Sequence, residues 1–378
     1  MTLAAAPRRS PLDAVHRALG ARLIPFAGYE MPVRYTSELE EHRAVRTAVG
    51  LFDLSHMGEV ALRGPGALAF AGRVLVSDPS RLEPEQAQYS MLCAADGGVI
   101  DDLIVYRLED RFLLVVNAAN RDAVVDHLAA QAAEGTDEVE IADESDGTAL
   151  IAPQGPRAAA LVGTLTDVDL GALRNYWSAA GEVAGVPCLV ARTGYTGEDG
   201  FELFCPAPDA ERLWEAVHAA GQAFGIMPCG LASRDTLRLE AGMPLYGNEL
   251  GRDVNPYEAN LGRVVKLDKE YFVGREALAA IQEDGPRRQL IGLVMEDEGI
   301  ARHGYPVTDA ETGEEVGVVT SGSVSPTLGQ RIAMALVRAD VAQGDWPLAV
   351  VIRDRPGRAE RVKLPFYRRP RPAEEPTT

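Results

Sequence analysis

The sequence predicts an α+β protein whose last part is a small all-β domain. Three observations support this fold class: a hairpin followed by a helix between residues 103 and 135, a second set of strands with a helix between 149 and 224, and short aliphatic runs beyond residue 289. With 378 residues the chain is longer than one ordinary core requires, so we expect two or three packed units.

The N-terminal part begins with a predicted short helix. The start signal is the segment Ser10-Pro11-Leu12, which precedes an apolar pattern. The stop signal is Gly20, where that pattern ends. The next segment, Phe26 to Pro32, is predicted to be a loop.

The first α+β unit is predicted from two apolar runs, Leu103 to Leu108 and Phe112 to Val116. Three charged residues separate them, which is typical of a tight β-hairpin. Asn120 is predicted to cap the helix that follows, whose apolar positions share one face and which ends at Gly135.

A second unit of the same kind is expected between residues 149 and 224. Strands are predicted at 149–152, 186–192 and 201–205, followed by a helix at 209–224.

A change in the sequence pattern marks a domain boundary at Gln282 to Gln289, a polar and helix-breaking stretch. We therefore predict one region at 10–281 and a C-terminal domain at 290–367. Aliphatic runs separated by glycine, proline and charged turns favour a small β-barrel or sandwich there, at 290–295, 316–319, 332–337 and 348–352.

Composition excludes several classes of function. A formal net charge of -19 opposes binding to nucleic acid, and no apolar segment is long enough to cross a membrane. Only three lysines occur, which argues against a lysine-held pyridoxal phosphate (PLP) cofactor. The four cysteines are far apart, so we expect neither a metal site nor a redox motif, and a cytoplasmic location.

Asp101 and Asp102 are the first candidates for chemistry. They follow a glycine pair, Gly97-Gly98, that would let a ligand approach the backbone closely, and they begin a strongly apolar strand. Because neighbouring strand residues point to opposite faces, only one of the two should face a given cavity. Two interpretations stay open: solvated turn acids, or a desolvated general base.

Glu202 and Arg234 are the next candidates. Glu202 points to the strand face that it shares with Phe204, where a carboxylate could hold a flat ligand through paired N–H donors. Arg234 lies on the face of a predicted helix that should be buried, so its guanidinium needs an acceptor. An exposed edge acid, or an ion pair between these two residues, is the alternative.

The remaining candidates have ordinary structural explanations when taken singly. His56 is explained as a loop histidine with satisfied hydrogen bonds, and Met57 as a core methionine. Tyr89 and Asn117 have equally ordinary explanations. The turn from Gly194 to Gly200 is glycine-rich but precedes a strand and carries two acids, so it is a poor phosphate site.

Taken together and in this order, these motifs resemble the aminomethyltransferase, or T-protein, family of the glycine cleavage system. The similarity spans nearly the whole chain. The matching segments are 26–32, 52–58, 97–105, 192–202, 233–245, 320–322 and 325–329.

The resemblance implies a three-domain ring around a bound folate: two intertwined α+β folate-binding domains, the second at about 56–139, and the C-terminal β-barrel. It implies transfer of an aminomethyl carbon from the dihydrolipoyl arm of lipoylated H-protein to tetrahydrofolate, with release of ammonia and formation of 5,10-methylenetetrahydrofolate. Tetrahydrofolate is then a co-substrate, and no metal, flavin or PLP is expected.

The resemblance also assigns site residues. The catalytic aspartate falls on Asp102, and the residues that hold the pterin fall on Glu202 and Arg234. Further pocket positions are Met57, Tyr89, Asn117 and Tyr195, and Tyr367 is the candidate for a C-terminal tyrosine that contributes in some members.

Two other functions stay open at this point. One is a folate-dependent demethylase of the same superfamily, although no Gly-x-Gly-x-x-Gly flavin loop precedes the matched region. The other is a non-catalytic folate-binding protein that assists iron–sulfur enzymes, although its lysine-glycine-cysteine signature is absent.

Overall fold

A computed structural model describes residues 6–370 of the chain. The first elements are β1 (Arg8–Arg9), α1 (Asp13–Ala18), β2 (Arg22–Phe26), β3 (Tyr29–Arg34), α2 (Glu38–Thr47) and β4 (Val49–Asp53). The predicted N-terminal helix is confirmed. The loop predicted at 26–32 is wrong, because β2 and β3 form a hairpin whose two turn residues, Ala27 and Gly28, both have positive φ.

The next segment forms a five-stranded antiparallel sheet with the strand order β6-β7-β8-β5-β9. Its elements are β5 (Gly58–Arg63), α3 (Ala67–Val74), β6 (Gln86–Cys93), β7 (Val99–Arg107), β8 (Phe112–Val116), α4 (Arg121–Glu134) and β9 (Glu140–Asp143). The predicted hairpin is β7–β8, with Leu103 opposite Val116. The predicted helix is α4, which ends before Gly135.

A six-stranded sheet follows, with the strand order β11-β12-β13-β10-β4-β14. Its new elements are β10 (Thr148–Gln154), α5 (Ala158–Val162), β11 (Ser178–Val183), β12 (Val186–Ala191), β13 (Glu202–Pro206), α6 (Ala210–Gly221), β14 (Ile226–Cys229) and α7 (Leu231–Glu240). Strand β4 lies between β10 and β14, so the chain leaves this sheet, builds the five-stranded sheet, and then returns. The two sheets are thus interlaced along the chain.

A shared apolar layer joins the two sheets. Leu113 and Val115 from the five-stranded sheet belong to the same buried cluster as Phe52, Leu150 and Phe204 from the six-stranded sheet. Removal of these side chains from water drives the two sheets together.

The C-terminal part is a closed six-stranded barrel with the strand order β15-β18-β17-β16-β19-β20. Its elements are α8 (Arg275–Asp284), β15 (Arg288–Met295), β16 (Pro306–Asp309), β17 (Glu315–Val324), β18 (Arg331–Arg338), α9 (Ala339–Gln343), β19 (Leu348–Ile352) and β20 (Arg355–Val362). The four predicted aliphatic runs fall in β15, β17, β18 and β19, and the barrel is confirmed. The predicted domain bounds stay a prediction.

Buried charges join α7 to the barrel and to α2. Glu240 at the end of α7 accepts hydrogen bonds from Ser325 Oγ at 2.5 Å and from the Thr327 hydroxyl at 2.7 Å. The Arg46 guanidinium donates to the same carboxylate at 2.8 Å, and His42 Nε2 lies 3.1 Å from it. This network holds α7, whose other face reaches the cavity described next, in a fixed position.

Candidate active site

A cavity of about 620 Å³ opens where the shared layer between the two sheets meets helix α7. Its size and its few polar groups on mostly apolar walls are usual for a small-molecule site. Seven of the eight site residues predicted from the sequence line it: Met57, Tyr89, Asp102, Asn117, Tyr195, Glu202 and Arg234.

Asp102 faces this cavity from β7. The Tyr89 hydroxyl, from the neighbouring strand β6, donates to Oδ2 of Asp102 at 2.9 Å. The Asn117 side-chain amide, just beyond the end of β8, donates to Oδ1 at 2.8 Å. Both carboxylate oxygens are therefore held in a fixed orientation by groups on the two flanking strands.

Asp101 lies on the opposite face of β7 and is completely buried. It accepts hydrogen bonds from the Asn117 backbone amide at 2.9 Å, the Asn117 side chain at 2.8 Å and Asn120 Nδ2 at 2.5 Å. Asn120 is the N-cap residue of α4 as predicted, but its side chain donates to Asp101 and does not cap the helix. Asp101 thus fixes the segment that carries Asn117.

The two adjacent acids titrate near neutral pH. Burial raises the pKa of Asp102 to about 6, against the opposing hydrogen bonds from Tyr89 and Asn117. Burial, with the Asp102 charge adding to it, raises the pKa of Asp101 to about 7. A carboxyl group with a pKa in this range can both accept and return a proton at physiological pH.

Glu202 enters the cavity from β13. Its Oε2 atom accepts a hydrogen bond from the Thr193 hydroxyl, and the Tyr106 hydroxyl stands beside the same carboxylate. Burial raises the pKa of Glu202, and the nearby Arg234 charge opposes that rise. The prediction that Glu202 shares a face with Phe204 is confirmed, since Phe204 belongs to the apolar layer between the sheets. Glu202 is therefore not an exposed edge acid.

Arg234 reaches the cavity from α7 and packs over an aromatic ring. Its guanidinium carbon lies 4.8 Å from the centre of the Tyr195 ring, whose hydroxyl donates to the Pro244 carbonyl. Among the described residues the Arg234 guanidinium makes no hydrogen bond or salt bridge, although the charge of Glu202 acts on it. Burial lowers the pKa of Arg234. The cavity wall thus presents a guanidinium and a carboxylate to a ligand.

Tyr367 lies outside the cavity. Its hydroxyl donates to Glu198 at 2.8 Å, and the Arg46 guanidinium carbon lies 4.1 Å from its ring centre. These contacts connect the segment after β20 to α2, and the geometry gives no support to a ligand contact by Tyr367.

Several lining residues were not predicted as site residues: Phe26, His56, Tyr176 and Arg238. Burial lowers the pKa of His56 to about 4, so its ring is neutral, and it packs edge-on against Phe26 at 5.5 Å between ring centres. His56 stands next to Met57, and that adjacency was the available signal. Tyr176 adopts a φ of 61° outside any strand or helix, and no sequence pattern marks it.

No group of three or more His, Cys, Asp or Glu side chains is arranged to hold a metal ion within residues 6–370. None of the helices formed by these residues combines the length and the apolar character needed to cross a membrane.

Two protein-family models match the chain, and together they identify its family. A family model described as the GCVT N-terminal domain matches residues 12–269, and the glycine cleavage T-protein C-terminal barrel domain matches residues 288–368. The chain belongs to the glycine cleavage T-protein family. These two matches include every residue that lines the cavity.

Curated relatives agree with this family. The chain is 54% identical over 370 residues to an aminomethyltransferase of Streptomyces avermitilis, covering 96% of this chain and 98% of the relative. It is 52% identical over 365 residues to an aminomethyltransferase of Moorella thermoacetica, covering 96% and 99% of the two chains.

A solved T-protein structure shares the fold. The crystal structure of glycine cleavage system aminomethyltransferase T from Bartonella henselae matches with a TM-score of 0.88 and 34% identity, covering 95% of this chain and 98% of that one. The chain is accordingly an enzyme, a transferase of the aminomethyltransferase class, and its α+β fold with a terminal barrel is confirmed. The relatives favour this function over the demethylase and the non-catalytic alternatives.

Proposed function

We propose that this T-protein family member transfers the carbon of an aminomethyl group, carried on the dihydrolipoyl arm of H-protein, to tetrahydrofolate. Ammonia, reduced H-protein and 5,10-methylenetetrahydrofolate are the products. The observation that carries this proposal is the meeting of Asp102, Glu202 and Arg234 in one cavity although they come from three different elements.

The polar groups of the cavity fit a pterin. A pterin ring presents adjacent N–H donors on one edge and acceptors on another. The Glu202 carboxylate in the cavity wall is placed to accept from the donor edge, and the Arg234 guanidinium to donate to acceptors. The apolar walls, which include Ile104 and Leu150, suit the flat faces of the ring.

The reaction transfers two protons from the folate nitrogens to the two leaving groups. The carbon–nitrogen and carbon–sulfur bonds of the aminomethyl group break, and two carbon–nitrogen bonds to the folate form. One proton leaves each of the two folate nitrogens, one ends on ammonia and the other on the dihydrolipoyl thiol, so atoms and electrons balance. Tetrahydrofolate supplies the two nucleophilic nitrogens. The protein must supply a group that holds a proton between these steps.

Asp102 is the group that we assign to this step. It lies in the cavity with both oxygens oriented by Tyr89 and Asn117, and its pKa of about 6 allows it to exchange a proton near neutral pH. Glu202 and Arg234 then act as binding residues that set the distance between the folate and Asp102. Met57 and Tyr195 complete the walls.

The partner we propose is lipoylated H-protein, and the compartment is the cytoplasm. The chemistry of the transferred group supports the first part, since the one-carbon unit must arrive on a thiol. The four cysteines support the second, because all four are buried free thiols, which fits a reducing environment.

A reconstituted assay tests the assignment. Purified wild-type chain, given tetrahydrofolate and aminomethyl-loaded H-protein, should release ammonia in a folate-dependent manner. Asp102→Asn should reduce turnover by roughly 100- to 10,000-fold, as expected for loss of a general acid–base group, while folate affinity changes little. Asp96→Asn is the matched control, because it makes the same change at a side chain that is 69% exposed in the preceding turn.

Two results would contradict the proposal. Full turnover by Asp102→Asn would remove Asp102 from the chemistry. Ammonia release that does not depend on tetrahydrofolate would remove the folate from the reaction.

A further inference from the structure

A second cavity, of about 570 Å³, lies behind the first between the same two sheets. Leu113 of β8 and Phe204 of β13 line the second cavity, whereas Val115 and Glu202 of the same two strands line the first. Residues two apart on a strand share a face, so the two cavities occupy successive positions along one interface. The proposed function uses only the first.

Glu59 lines the second cavity. It lies on β5 opposite Val115, and 1% of its surface is exposed. Its backbone amide donates to Ser145 Oγ at 2.9 Å, but neither carboxylate oxygen has a hydrogen-bond partner within residues 6–370. A buried acid with two unpartnered oxygens is costly and is rare in folded proteins.

The nearby arginines are already paired with other acids. Arg121 donates to Asp143 and Asp146, both at 2.7 Å. Arg111, in the cavity wall, donates to Asp110 at 2.9 Å and lies 3.6 Å from Glu144. Four further acids stand around the cavity: Glu85, Glu109, Asp110 and Glu144. Acids therefore outnumber bases in the cavity wall, and Arg111, the basic residue there, already forms hydrogen bonds to Asp110.

We propose that this second cavity binds a small organic cation whose amidinium or guanidinium group is held by both carboxylate oxygens of Glu59. Such a group presents two parallel N–H donors, which match the two free oxygens. The apolar body of the ligand would pack against Leu113, Leu189 and Phe204. A metal ion fits less well, because the described residues form no metal-ligand cluster here. The proposal is independent of the proposed function.

Binding at this site is coupled to a proton. Burial raises the pKa of Glu59 well above its usual value, Asp143, Glu144 and Glu202 add to the rise, and Arg121 opposes it. Glu59 is therefore protonated in the free protein up to a raised pH, and it must lose that proton when it pairs with a cation. Affinity for the cation should increase with pH, by up to about tenfold per pH unit below the pKa of Glu59.

Calorimetric titration of the full chain with benzamidine tests the proposal, because benzamidine combines an amidinium group with an apolar ring. Benzamide has the same shape without the charge and is the matched neutral probe. Glu59→Gln should weaken benzamidine binding by at least about tenfold, as expected for loss of a charged hydrogen-bonded pair. Glu109→Gln removes the same charge at the rim and should change the affinity much less.

The possible results of this titration either support or overturn the proposal. Support requires that benzamidine binds, that benzamide does not, that affinity rises from pH 6 to pH 8, and that Glu59→Gln abolishes this pH dependence. The proposal is overturned if benzamidine does not bind at millimolar concentration, if benzamide binds equally well, or if Glu59→Gln binds like the wild type. Thermal unfolding of Glu59→Gln verifies that the variant is folded.

Discussion

Asn117 is joined to Asp102 twice: its side-chain amide donates to Oδ1 of Asp102 at 2.8 Å and to the Asp102 backbone carbonyl at 3.0 Å. The same amide reaches Oδ1 of Asp101 at 2.8 Å. One side chain thus orients the proposed catalytic carboxylate and connects it to the buried acid behind it. This arrangement makes the ionisation of Asp102 depend on Asn117.

Asn117→Ala should shift the pH dependence of turnover. The Asn117 hydrogen bond favours the charged form of Asp102, so its loss should raise the pKa of Asp102 above about 6. Activity that needs the ionised carboxylate should then fall more at pH 6 than at pH 8. A pH–rate profile of ammonia release measures the shift. Asn120→Ala, which loses a contact with Asp101 alone, should shift the profile less, and an unchanged profile in Asn117→Ala would contradict the role.

Arg234→Met should weaken folate binding without unfolding the protein. The guanidinium donates no hydrogen bond to any described residue, so its removal breaks none, whereas a bound pterin would lose a charged hydrogen bond. We expect a loss of roughly 10- to 150-fold in tetrahydrofolate affinity and an unchanged or higher Tm. Equilibrium binding and thermal unfolding measure the two effects. Arg212→Met, on the exposed surface of α6, is the control that should change neither.

Glu240→Gln should remove part of the acid sensitivity of the fold. Burial alone would raise the pKa of Glu240, but His42, Ser325 and Arg46 together lower it to about 2. A carboxylate whose pKa is lower in the folded state stabilises the protein above its ordinary pKa of 4.5, and this stabilisation is lost as the pH falls towards 2.

The expected size of the Glu240 effect is roughly 3 kcal/mol at pH 7, because one partner of a buried ion pair is removed. Chemical unfolding at pH 7 and at pH 3 measures it. The difference between wild type and Glu240→Gln should be large at pH 7 and smaller at pH 3, and an equal difference at both would show that the carboxylate charge is not responsible.

Gly98→Ala should destabilise the turn before β7. A Cβ atom at this position would lie 2.1 Å from the Arg252 carbonyl oxygen, which belongs to the backbone and cannot move cheaply. We expect a loss of about 1–3 kcal/mol, as for overpacking elsewhere. Gly72→Ala is the matched control, since a Cβ atom there meets nothing within 4 Å inside α3 and should stabilise the helix by about 1 kcal/mol. Denaturant midpoints of the two variants should therefore move in opposite directions.

The fold was predictable wherever the signal was local. Apolar runs and turn residues identified the β7–β8 hairpin, α4, α6 and four of the six barrel strands, because these patterns depend on neighbouring residues only. Strands β16 and β20 were missed, since one is four residues long and the other carries arginines on its exposed side. The β2–β3 hairpin was missed, and each of its strands contains a proline, Pro25 in β2 and Pro32 in β3.

The composition of the site was harder to predict from sequence patterns than the fold was. Nothing local indicates that Glu202 of β13 and Arg234 of α7 share a cavity with Asp102 of β7, because that meeting depends on the packing of two sheets and a helix. The glycine pair before Asp101 also has another role than predicted. Because Gly98 has no side chain, the backbone of Arg252 can pack closely against it, and neither glycine lines the cavity.

The interlaced order of the six-stranded sheet has a consequence for how the chain folds. During synthesis strand β4 emerges early. Its neighbours β10 and β14 emerge only after the whole five-stranded sheet has been synthesised. Both hydrogen-bonding edges of β4 stay open until then, and open edges pair readily with other chains. The five-stranded sheet is continuous in sequence and has its own buried cluster, so it can form first. We therefore expect closure around β4 to be the slow step of folding, and the cavity that holds Asp102 to be completed only with it.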